Sequence, residues 1–388
     1  MPIRNRFAEL HDEITAWRRD FHEHPELSFD VHRTAGIVAE KLKEFGCDEV
    51  VTGIGRTGVV GIIRGRSIAS GRTVGLRADM DALPIEEATG VAYASKTPGK
   101  MHACGHDGHT AMLLGAAKYL AETRNFDGSV AVIFQPAEEG GGGGREMVND
   151  GMMDRFGIDE VYGMHNWPGV PLGEFAIRPG PMMAATDVFE AVIEVRGGHG
   201  AKPDETVDPT IAACQAILAL QTIASRNIHP LDSLVVSVTS FETSSRAFNV
   251  IPQSVHLKGT VRTLAPEVQD LAEQRLRDIL TGVSGAMGCS VSIDYKRNYP
   301  VTSNHKTETR YAIEAARRVG VYCDEDVTPT MGGEDFSFML NVRPGAYIFL
   351  GNGDSAKVHS PDYNFDDEAI PFGCSWFVEM VESRLPIG

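Results

Sequence analysis

The sequence contains few cysteines and no apolar run long enough to cross a membrane. Its six cysteines are scattered over 388 residues and form no CxxC pair, so a disulfide-bonded secreted scaffold is not expected. No stretch approaches the ~20 apolar residues of a membrane helix, and the opening MPIRNRFAELHDE turns acidic before any signal-peptide core begins. These absences predict a cytoplasmic protein that does not insert into a membrane.

Basic residues are also scarce. There are 36 Lys and Arg residues against 53 Asp and Glu, which gives a net charge of −17, and no run of Lys or Arg interrupts the acidity. Binding to nucleic acid or to an anionic membrane surface is therefore not expected. The contents of hydrophobic (42%) and charged (23%) residues are those of a globular chain, and the length allows two or three domains.

Two common groups of catalytic motifs are missing as well. The chain has no GxSxG nucleophile elbow and no Cys-His-Asn signature of a thiol protease. The glycine run 140–144 lacks a following Lys-Ser or Lys-Thr, so it is not a Walker phosphate loop. Hydrolysis by a side-chain nucleophile is therefore weakly supported.

Short strands and helices alternate through the first half of the chain. Apolar residues between Phe7 and Phe21 recur at helical spacing, which predicts an amphipathic helix. Further helices are predicted at 34–45 and 110–124, strands at 58–65 and 73–79, and a strand that runs into a loop at 129–139. This alternation favours an α/β fold with a sheet covered by helices.

Between residues 184 and 297 the order of elements becomes β-α-β-β-α-β. This is the ferredoxin-like arrangement, and it makes a complete small domain. The earlier alternation resumes afterwards, with predicted elements at 307–319, 346–353 and 368–384. We therefore interpret 184–297 as an insertion that divides a larger domain into residues 1–183 and 298–388.

The segment HACGHDGH (102–109) is the strongest candidate for a metal site. The Cys104 thiolate and the His106 imidazole are two residues apart and can converge on one cation if the backbone at Gly105 folds tightly. Zn, Mn, Co and Ni all accept such mixed ligands, so the segment does not select among them. The alternative is a polar loop that caps the following helix.

Two pairs of acids follow predicted strands. Glu138 and Glu139 repel each other unless a cation absorbs their charge, and neighbours on an extended chain point in different directions. One of them can therefore bind a metal while the other acts as acid and base on an activated water. Asp79 and Asp81 suit metal binding or the orientation of a histidine ligand. A solvated acidic loop and a plain strand-end turn are the alternatives.

Single histidines mark two further segments. His165 ends the predicted strand in YGMHNWPG, and His359 lies in the polar loop VHSPDYNFDD. A single histidine of this kind is more often structural. Each becomes a candidate metal ligand because other ligand types occur elsewhere in the chain. The remaining histidines have no second ligand type nearby and are expected on surfaces, strands or loops: His11, His22, His24, His32, His229, His256 and His305.

Ten segments occur in an order that resembles one family of enzymes. They are DFHEHPELSF (20–29), RADMDALP (77–84), MHACGHDGH (101–109), FQPAEEGGGG (134–143), GMHNWPG (163–169), VRGGHGAKP (195–203), FNVIP (248–252), GTVRT (259–263), MGGEDFSF (331–338) and VHSPDYNF (358–365). Together they span nearly the whole chain and resemble the M20 family of metallopeptidases and amidohydrolases. The branch that they resemble contains hippurate hydrolases, N-acyl-amino-acid amidohydrolases and indoleacetyl-amino-acid hydrolases.

The resemblance implies a two-metal hydrolase with a mixed-sheet catalytic domain and an inserted lid that pairs subunits into a homodimer or higher homo-oligomer. Glu138 matches the general base of the family. Asp81 matches an acid that orients a ligand without binding the metal, and the histidine that many relatives hold in place of Asp79 is absent. The positions that match ligands of two divalent ions (Zn, Mn, Co or Ni) are Cys104, His106, Glu139, His165 and His359.

Three residues of the predicted insertion match lid residues of the family. His199 matches a histidine that reaches toward the scissile carbonyl, and Asn249 and Arg262 match residues that contact the substrate. The branch commonly has HxAxPH where this chain has HGAKPD. Asp204 therefore stands in place of a histidine, a departure that bears on substrate specificity.

The resulting hypothesis is a metal-dependent amidohydrolase that cleaves N-acyl amino acids, small molecules of the hippurate or N-acetyl kind, with Glu138 as general base. A short-peptide carboxypeptidase or dipeptidase on the same scaffold is the nearest alternative. A metal-binding or ligand-binding module without turnover is a more distant one. The combination of Glu138 with a full set of five matching ligands argues against the last.

Overall fold

The computed structural model describes residues 5–388; residues 1–4, where the predicted first domain and the opening segment begin, lie outside the described residues. The helices are α1 (Asn5–Glu23), α2 (His32–Glu44), α3 (His106–Thr123), α4 (Gly143–Asn149), α5 (Met152–Arg155), α6 (Pro209–Thr222), α7 (Pro266–Ala286), α8 (Lys306–Val319), α9 (Ser337–Leu340) and α10 (Ile370–Arg384). In the part of the chain that the structure describes, none of these helices has both the length and the apolar character of a membrane span.

The chain divides into two compact units. The strands from which they are built are β1 (Glu49–Ile54), β2 (Gly58–Arg64), β3 (Thr73–Asp79), β4 (Ser129–Gln135), β5 (Glu160–Trp167), β6 (Glu174–Ala176), β7 (Gly180–Met183), β8 (Ala185–Glu194), β9 (Gly198–His199), β10 (Leu234–Thr243), β11 (Val250–Ile251), β12 (Ser254–Thr263), β13 (Ser290–Tyr299), β14 (Thr302–Asn304), β15 (Tyr322–Asp324) and β16 (Gly345–Gly351).

The first unit contains the described residues through Met182, with Ser303–Thr328 and Asp335–Gly388. It is built on a mixed eight-stranded sheet with the strand order β1-β2-β4-β3-β5-β16-β6-β15. The four central neighbours β4, β3, β5 and β16 are parallel. Their residues are almost all buried, as expected for parallel strands covered on both faces. The prediction of an α/β fold with a large mixed sheet is confirmed.

Helix α3 lies at the centre of a packed group of helices, in contact with α1 and α10. Its residues are buried over nearly the whole length. It begins at His106, four residues before the predicted start, because Gly105 adopts a left-handed conformation with φ of 87° that turns the chain directly into the helix. The earlier start places both His106 and His109 on the first turn.

The second unit contains Met183–Thr302 and Pro329–Glu334. Its longer elements follow the order β8-α6-β10-β12-α7-β13, with the two-residue strands β9 and β11 between them, and its antiparallel four-stranded sheet has the strand order β10-β12-β8-β13. Alternate residues of β12 are buried, which is the pattern of a sheet covered on one face. Strands and both helices contribute to one apolar core, which includes Phe189, Ile193, Leu220, Leu257 and Leu276.

The borders of the second unit differ from the predicted 184–297. The unit continues to Thr302 after β13, and it also takes in residues 329–334, which the sequence assigned to the larger domain. The Ala184 N–H donates to the Gly332 carbonyl at 2.8 Å, and Met183 forms a bridge with Thr330. These pairs join segments that are far apart in the chain, so local periodicity contains no sign of them.

Candidate metal centre

The carboxyl ends of the four central parallel strands carry most of the polar residues that the sequence singled out. Asp81 follows β3, Glu138 and Glu139 follow β4, His165 lies near the end of β5, and His359 lies in the loop after β16. Parallel neighbours end at the same edge of a sheet, and open α/β sheets place their ligand sites there. Residues from four distant segments are thereby collected at one edge.

Cys104, His106 and His165 form one group of possible donor atoms, all within 4.8 Å of one another. The Cys104 Sγ atom lies 3.3 Å from Nε2 of His165. The Nδ1 atoms of the two histidines face main-chain carbonyls instead, at 2.8 Å from Asp81 O for His106 and 2.5 Å from Asn166 O for His165. Because a carbonyl only accepts, each Nδ1 carries a proton, and Nε2 is the nitrogen that can bind a cation.

Glu139 and His359 form a second group with the Cys104 sulfur. The Nε2 atom of His359 lies 3.2 Å from Oε1 of Glu139, and the His359 side chain is 52% exposed. Its backbone has a positive φ of 65°, and its N–H donates to the Ala103 carbonyl at 2.7 Å. That bond holds the loop after β16 against the loop that carries Cys104. The five side chains predicted to bind metal thus lie together in two groups that share Cys104.

Glu138 belongs to a further group with His106 and Glu139. Asp81 holds the main chain of both glutamates, since its Oδ1 accepts from the Glu138 N–H at 2.9 Å and its Oδ2 from the Glu139 N–H at 3.1 Å. Asp81 contributes no donor atom to any of these groups among the described residues. Its contacts are those of a residue that orients the glutamates and, through its carbonyl, His106.

The donor set fits divalent cations. A thiol, imidazoles and carboxylates form the mixture that Zn, Mn, Co and Ni accept. The His106 Nε2 atom is buried and has no hydrogen-bond partner among the described residues, and Asp79 Oδ2 lies 3.9 Å away, too far for a hydrogen bond. A buried nitrogen without a partner is costly unless something meets it, and a cation held by the neighbouring donors would do so.

Acidic side chains give this edge of the sheet an excess of negative charge. Burial raises the pKa of the Cys104 thiol well above its usual range, and Glu139 and Glu138 raise it further. Burial lowers the pKa of His106, but Asp79 and Asp81 outweigh it and raise that pKa to about 10. A bound cation favours the thiolate and the neutral imidazole, so its binding would release protons.

Sequence reasoning did not single out Arg77 and His109, which support the site from within the core. Arg77 is fully buried and pairs with Asp79 (Nη1 to Oδ2, 2.5 Å) and with Asp335 (Nη2 to Oδ1, 3.0 Å). His109 Nδ1 lies 2.6 Å from the other oxygen of Asp79. Burial alone would raise the pKa of Asp79, but Arg77 holds it well below its usual range. Both Asp79 oxygens are therefore engaged, which favours orientation of a histidine over metal binding.

These residues nevertheless lie inside segments that the sequence made conspicuous. Arg77 opens RADMDALP, His109 closes MHACGHDGH, and Asp335 lies in MGGEDFSF. The Asp335 Oδ2 atom also accepts from the Gly144 N–H at 2.8 Å, which ties the glycine run to the network. Their positions inside these motifs could have marked the three residues as candidates. The ion pairs of Arg77 with Asp335 and of His109 with Asp79 could not be predicted, because they join segments that are distant in the chain.

His22 is fully buried, so the expectation of a surface or loop position is wrong for this histidine. Its Nδ1 lies 2.8 Å from Asp107 Oδ2 and its Nε2 lies 3.3 Å from Glu87 Oε1. The buried Arg18 Nη1 is 3.4 Å from the same Asp107 oxygen. Burial lowers the pKa of His22, but the hydrogen bonds with Asp107 and Glu87 raise it to about 9. Asp107 and Glu87 lie far from His22 in the chain, so the spacing of residues around His22 could not predict these contacts.

The second unit brings two of the predicted lid residues together. His199 pairs with Val250 in the two-stranded sheet of β9 and β11, and the Gly200 N–H donates to the Asn249 carbonyl at 2.8 Å. Both His199 and Asn249 are exposed. Asp204, which stands where the resemblance leads one to expect a histidine, is exposed in the short turn Pro203–Glu205.

Arg262 lies apart from this pair, on β12 of the same unit. Its half-buried guanidinium donates through Nη1 to the carbonyls of Val261 at 3.1 Å and Asp187 at 3.5 Å. Burial lowers the pKa of Arg262, and Asp187 opposes that effect. Among the described residues no ion pair joins this guanidinium to a carboxylate, and a planar guanidinium suits a carboxylate ligand.

Known proteins resemble this chain over nearly its whole length. Residues 75–383 match the family model described as Peptidase family M20/M25/M40. The chain is 41% identical over 374 residues to hippurate hydrolase from Campylobacter jejuni, covering 96% of each protein. It is 39% identical over 381 residues to thermostable carboxypeptidase 2 from Saccharolobus solfataricus, covering 96% of this chain and 95% of that protein.

The fold is also that of a solved relative. The Bacillus subtilis YXEP protein, described as a dinuclear metal binding peptidase from the M20 family, superposes with a TM-score of 0.85 at 34% identity. The match covers 97% of this chain and 99% of that structure.

Proposed function

Because the chain belongs to peptidase family M20/M25/M40, we propose that it is a metal-dependent amidohydrolase that cleaves the amide bond of N-acyl amino acids. The resemblance to this family and the prediction of an enzyme acting on amides are confirmed. The observation that carries the proposal is that Glu138 shares a donor group with His106 and Glu139, two of five donor side chains collected at the carboxyl edge of the sheet. Hippurate, the compound in the name of the similar Campylobacter jejuni enzyme, is itself an N-acyl amino acid.

Five side chains would hold two divalent ions of the Zn, Mn, Co or Ni kind. They are Cys104, His106, Glu139, His165 and His359. When bound, such ions polarise a scissile carbonyl and lower the pKa of a water molecule. The Nδ1 contacts of His106 and His165 with main-chain carbonyls support this assignment, because they leave both Nε2 atoms available.

Glu138 would act as the general base. It accepts a proton from the attacking water, whose oxygen forms the new bond to the acyl carbon. As the carbon–nitrogen bond breaks, the same proton passes to the leaving nitrogen, and the products are a carboxylic acid and a free amino acid. The bond from its main-chain N–H to Asp81 holds Glu138 in the turn after β4, which keeps the base in one place.

The second unit would supply the remaining contacts with the substrate as a lid. His199 would donate to the oxyanion that forms on the carbonyl, and Asn249 and Arg262 would contact the substrate carboxylate or carbonyl. The exposure of His199 and Asn249 at one short strand pair supports this role, as does the Arg262 guanidinium, whose Nη1 is bonded to main-chain carbonyls.

The same unit would pair two copies of the chain. Strand β10 is an edge of its four-stranded sheet, and an edge strand offers unpaired main-chain groups. Apolar side chains are exposed on β10 and on α6, namely Val235, Phe241, Ile211 and Leu218. We propose a homodimer, or a higher homo-oligomer, that covers this surface.

A second candidate is a carboxypeptidase or dipeptidase that acts on short peptides. The similarity to thermostable carboxypeptidase 2 from Saccharolobus solfataricus favours it, at an identity close to that of hippurate hydrolase. Both reactions hydrolyse an amide next to a carboxylate, so the same residues would serve either one. The two candidate activities differ in the group on the acyl side of the cleaved amide, so the pocket that binds this group would distinguish them.

A substrate panel with defined metal content tests the proposal. The protein is stripped with a chelator and reconstituted with Zn, Mn, Co or Ni, and kcat/KM is measured for N-benzoyl and N-acetyl amino acids and for dipeptides. We expect about two ions per chain, no activity after stripping, and a higher kcat/KM for N-acyl amino acids. Full activity in the stripped protein would contradict the mechanism, and a preference for dipeptides would favour the second candidate.

A further inference from the structure

Asn166 connects several of the loops that carry the proposed metal ligands. It follows His165 on β5, and its side chain is completely buried. A buried carboxamide has two N–H donors and one accepting oxygen that all need partners. The partners that it finds identify its role.

The polar groups of Asn166 contact three parts of the site, namely the Cys104 main chain, His109 and Tyr363. The Nδ2 atom donates to the Cys104 carbonyl at 2.7 Å and lies 2.9 Å from His109 Nε2. The Oδ1 atom accepts from the Tyr363 hydroxyl. The main-chain N–H donates to His109 Nε2 at 2.9 Å, so this nitrogen accepts and the proton of His109 lies on Nδ1, toward Asp79.

The packing around this carboxamide is tight. A Cβ atom on Gly105 would overlap Asn166 Nδ2 and come within 2.5 Å of the Tyr363 hydroxyl oxygen. The absence of a side chain at Gly105 therefore lets the loop between Cys104 and His106 press directly against Asn166. A shift of the carboxamide would be transmitted to that loop.

We propose that Asn166 is a positioning residue that sets the relative positions of the three chain segments that carry Cys104, His165 and His359. It is bonded to the main chain of Cys104, it is the chain neighbour of His165, and it is bonded to Tyr363, four residues after His359. The inference rests on the proposed function only in taking these three residues as ligands.

Cobalt binding by matched variants tests the inference. Asn166→Ala removes the carboxamide, and Tyr363→Phe removes one of its partners. Asn304→Ala is the control, because Asn304 is also buried and bonded through both ends of its carboxamide, but to Arg178 and Tyr347 rather than to a ligand loop. Each full-length protein is titrated with Co²⁺ against a competing chelator. The thiolate-to-cobalt absorption band and the Tm of the metal-free protein are also recorded.

Asn166→Ala should weaken Co²⁺ binding by about 10–100-fold and change the absorption band, with partial recovery of hydrolysis at excess metal. Tyr363→Phe should shift both quantities in the same direction by less. Asn304→Ala should lower Tm while Co²⁺ affinity stays within about twofold of the wild type, as expected for a purely structural asparagine.

The inference would be overturned if Asn166→Ala and Tyr363→Phe both kept the Co²⁺ affinity and the absorption band of the wild type. It would also be overturned if Asn304→Ala lost as much Co²⁺ affinity as Asn166→Ala. If Asn166→Ala does not fold, Tyr363→Phe against Asn304→Ala decides. A wild-type protein that binds Co²⁺ but cleaves no N-acyl amino acid would refute the proposed function and leave this inference intact. A wild-type protein that binds no Co²⁺ would refute the inference as well.

Discussion

At the scale of single residues, Glu138 and Glu139 show how adjacent side chains of the same type acquire different surroundings. Glu139 Oε1 lies 3.2 Å from His359 Nε2 and shares a donor group with Cys104, whereas Glu138, which shares a group with His106 and Glu139, has no group in common with Cys104 or His359 among the described residues. The Asp81 carboxylate fixes the main chain between them. A ligand and a base can therefore sit side by side without exchanging places.

Glutamine substitutions should separate these two roles. Glu138→Gln keeps the shape but cannot accept a proton, so metal content should persist while kcat falls by about 10²–10⁴-fold. Glu139→Gln should lower the metal content instead, with partial rescue at high metal concentration. Metal content by atomic emission and kcat on an N-acyl amino acid measure both effects. Loss of metal in Glu138→Gln would show that the roles are assigned wrongly.

His22 should make stability depend on pH in the alkaline range. The pKa of His22 is raised to about 9 in the folded protein, against ~6.5 when unfolded, by Asp107 and Glu87. Its contribution to the free energy of unfolding is therefore complete below about pH 6.5 and is lost as the pH rises through about 9.

Urea unfolding of the wild type and of His22→Gln, both in excess chelator, measures this contribution. The stability difference between the two proteins should shrink by roughly 2 kcal/mol from pH 7 to pH 9.5. The comparison cancels other groups that titrate in the same range. A difference that stays constant over this interval would mean that His22 is neutral in the folded protein.

At the scale of secondary structure elements, the short pair of β9 and β11 presents His199. Each strand has only two residues, and the pairing of His199 with Val250 is continued by the bond from Gly200 to Asn249. The Ala201 N–H donates to His199 Nδ1 at 3.1 Å, which leaves Nε2 as the outward nitrogen. The element thus orients an exposed imidazole with very little structure of its own.

His199→Ala should lower kcat by about 10²–10³-fold while the metal content stays normal, because one donor to the oxyanion is lost. His229→Ala is the matched control. It removes an exposed histidine of the same unit that accepts from the N–H two residues later, at 3.2 Å from Leu231. Unchanged kcat in His199→Ala, or an equal loss in His229→Ala, would remove His199 from the mechanism.

At the scale of the whole molecule, the second unit exposes large apolar side chains on α6 and on β10. Leu218 on α6 is 66% exposed and Ile211 on the same helix is 55% exposed. The adjoining edge strand β10 adds Val235 and Phe241. Covering this surface with a second copy would remove apolar area from water and satisfy the free edge.

Leu218→Glu should therefore convert a dimer into a monomer, because dimerisation would bury an unpaired carboxylate. Sedimentation velocity measures the change in mass. Ile68→Glu, at a residue of the first unit that is 60% exposed, should leave the dimer intact. A wild-type protein that is a monomer at all accessible concentrations would contradict the dimer itself.

The sequence by itself determined many of the elements and the residue types that the candidate site contains. Apolar residues at helical spacing located α1, and short continuous apolar runs located the buried parallel strands. The clustering of Cys104 with His106 and of Glu138 with Glu139 favoured a cation, since a cation accommodates a thiolate, imidazoles and adjacent carboxylates together. These inferences depend on neighbours in the chain, which a sequence displays directly.

Only the tertiary structure decided how these parts are joined. The buried pairs of Arg77 with Asp79 and Asp335, the burial of His22 against Asp107, and the bonds of Asn166 all unite segments that are distant in the chain. The same holds for residues 329–334, which group with the second unit. No local pattern encodes such contacts, because each exists only when the sheet brings strand ends together and low dielectric surroundings make unpaired polar groups costly.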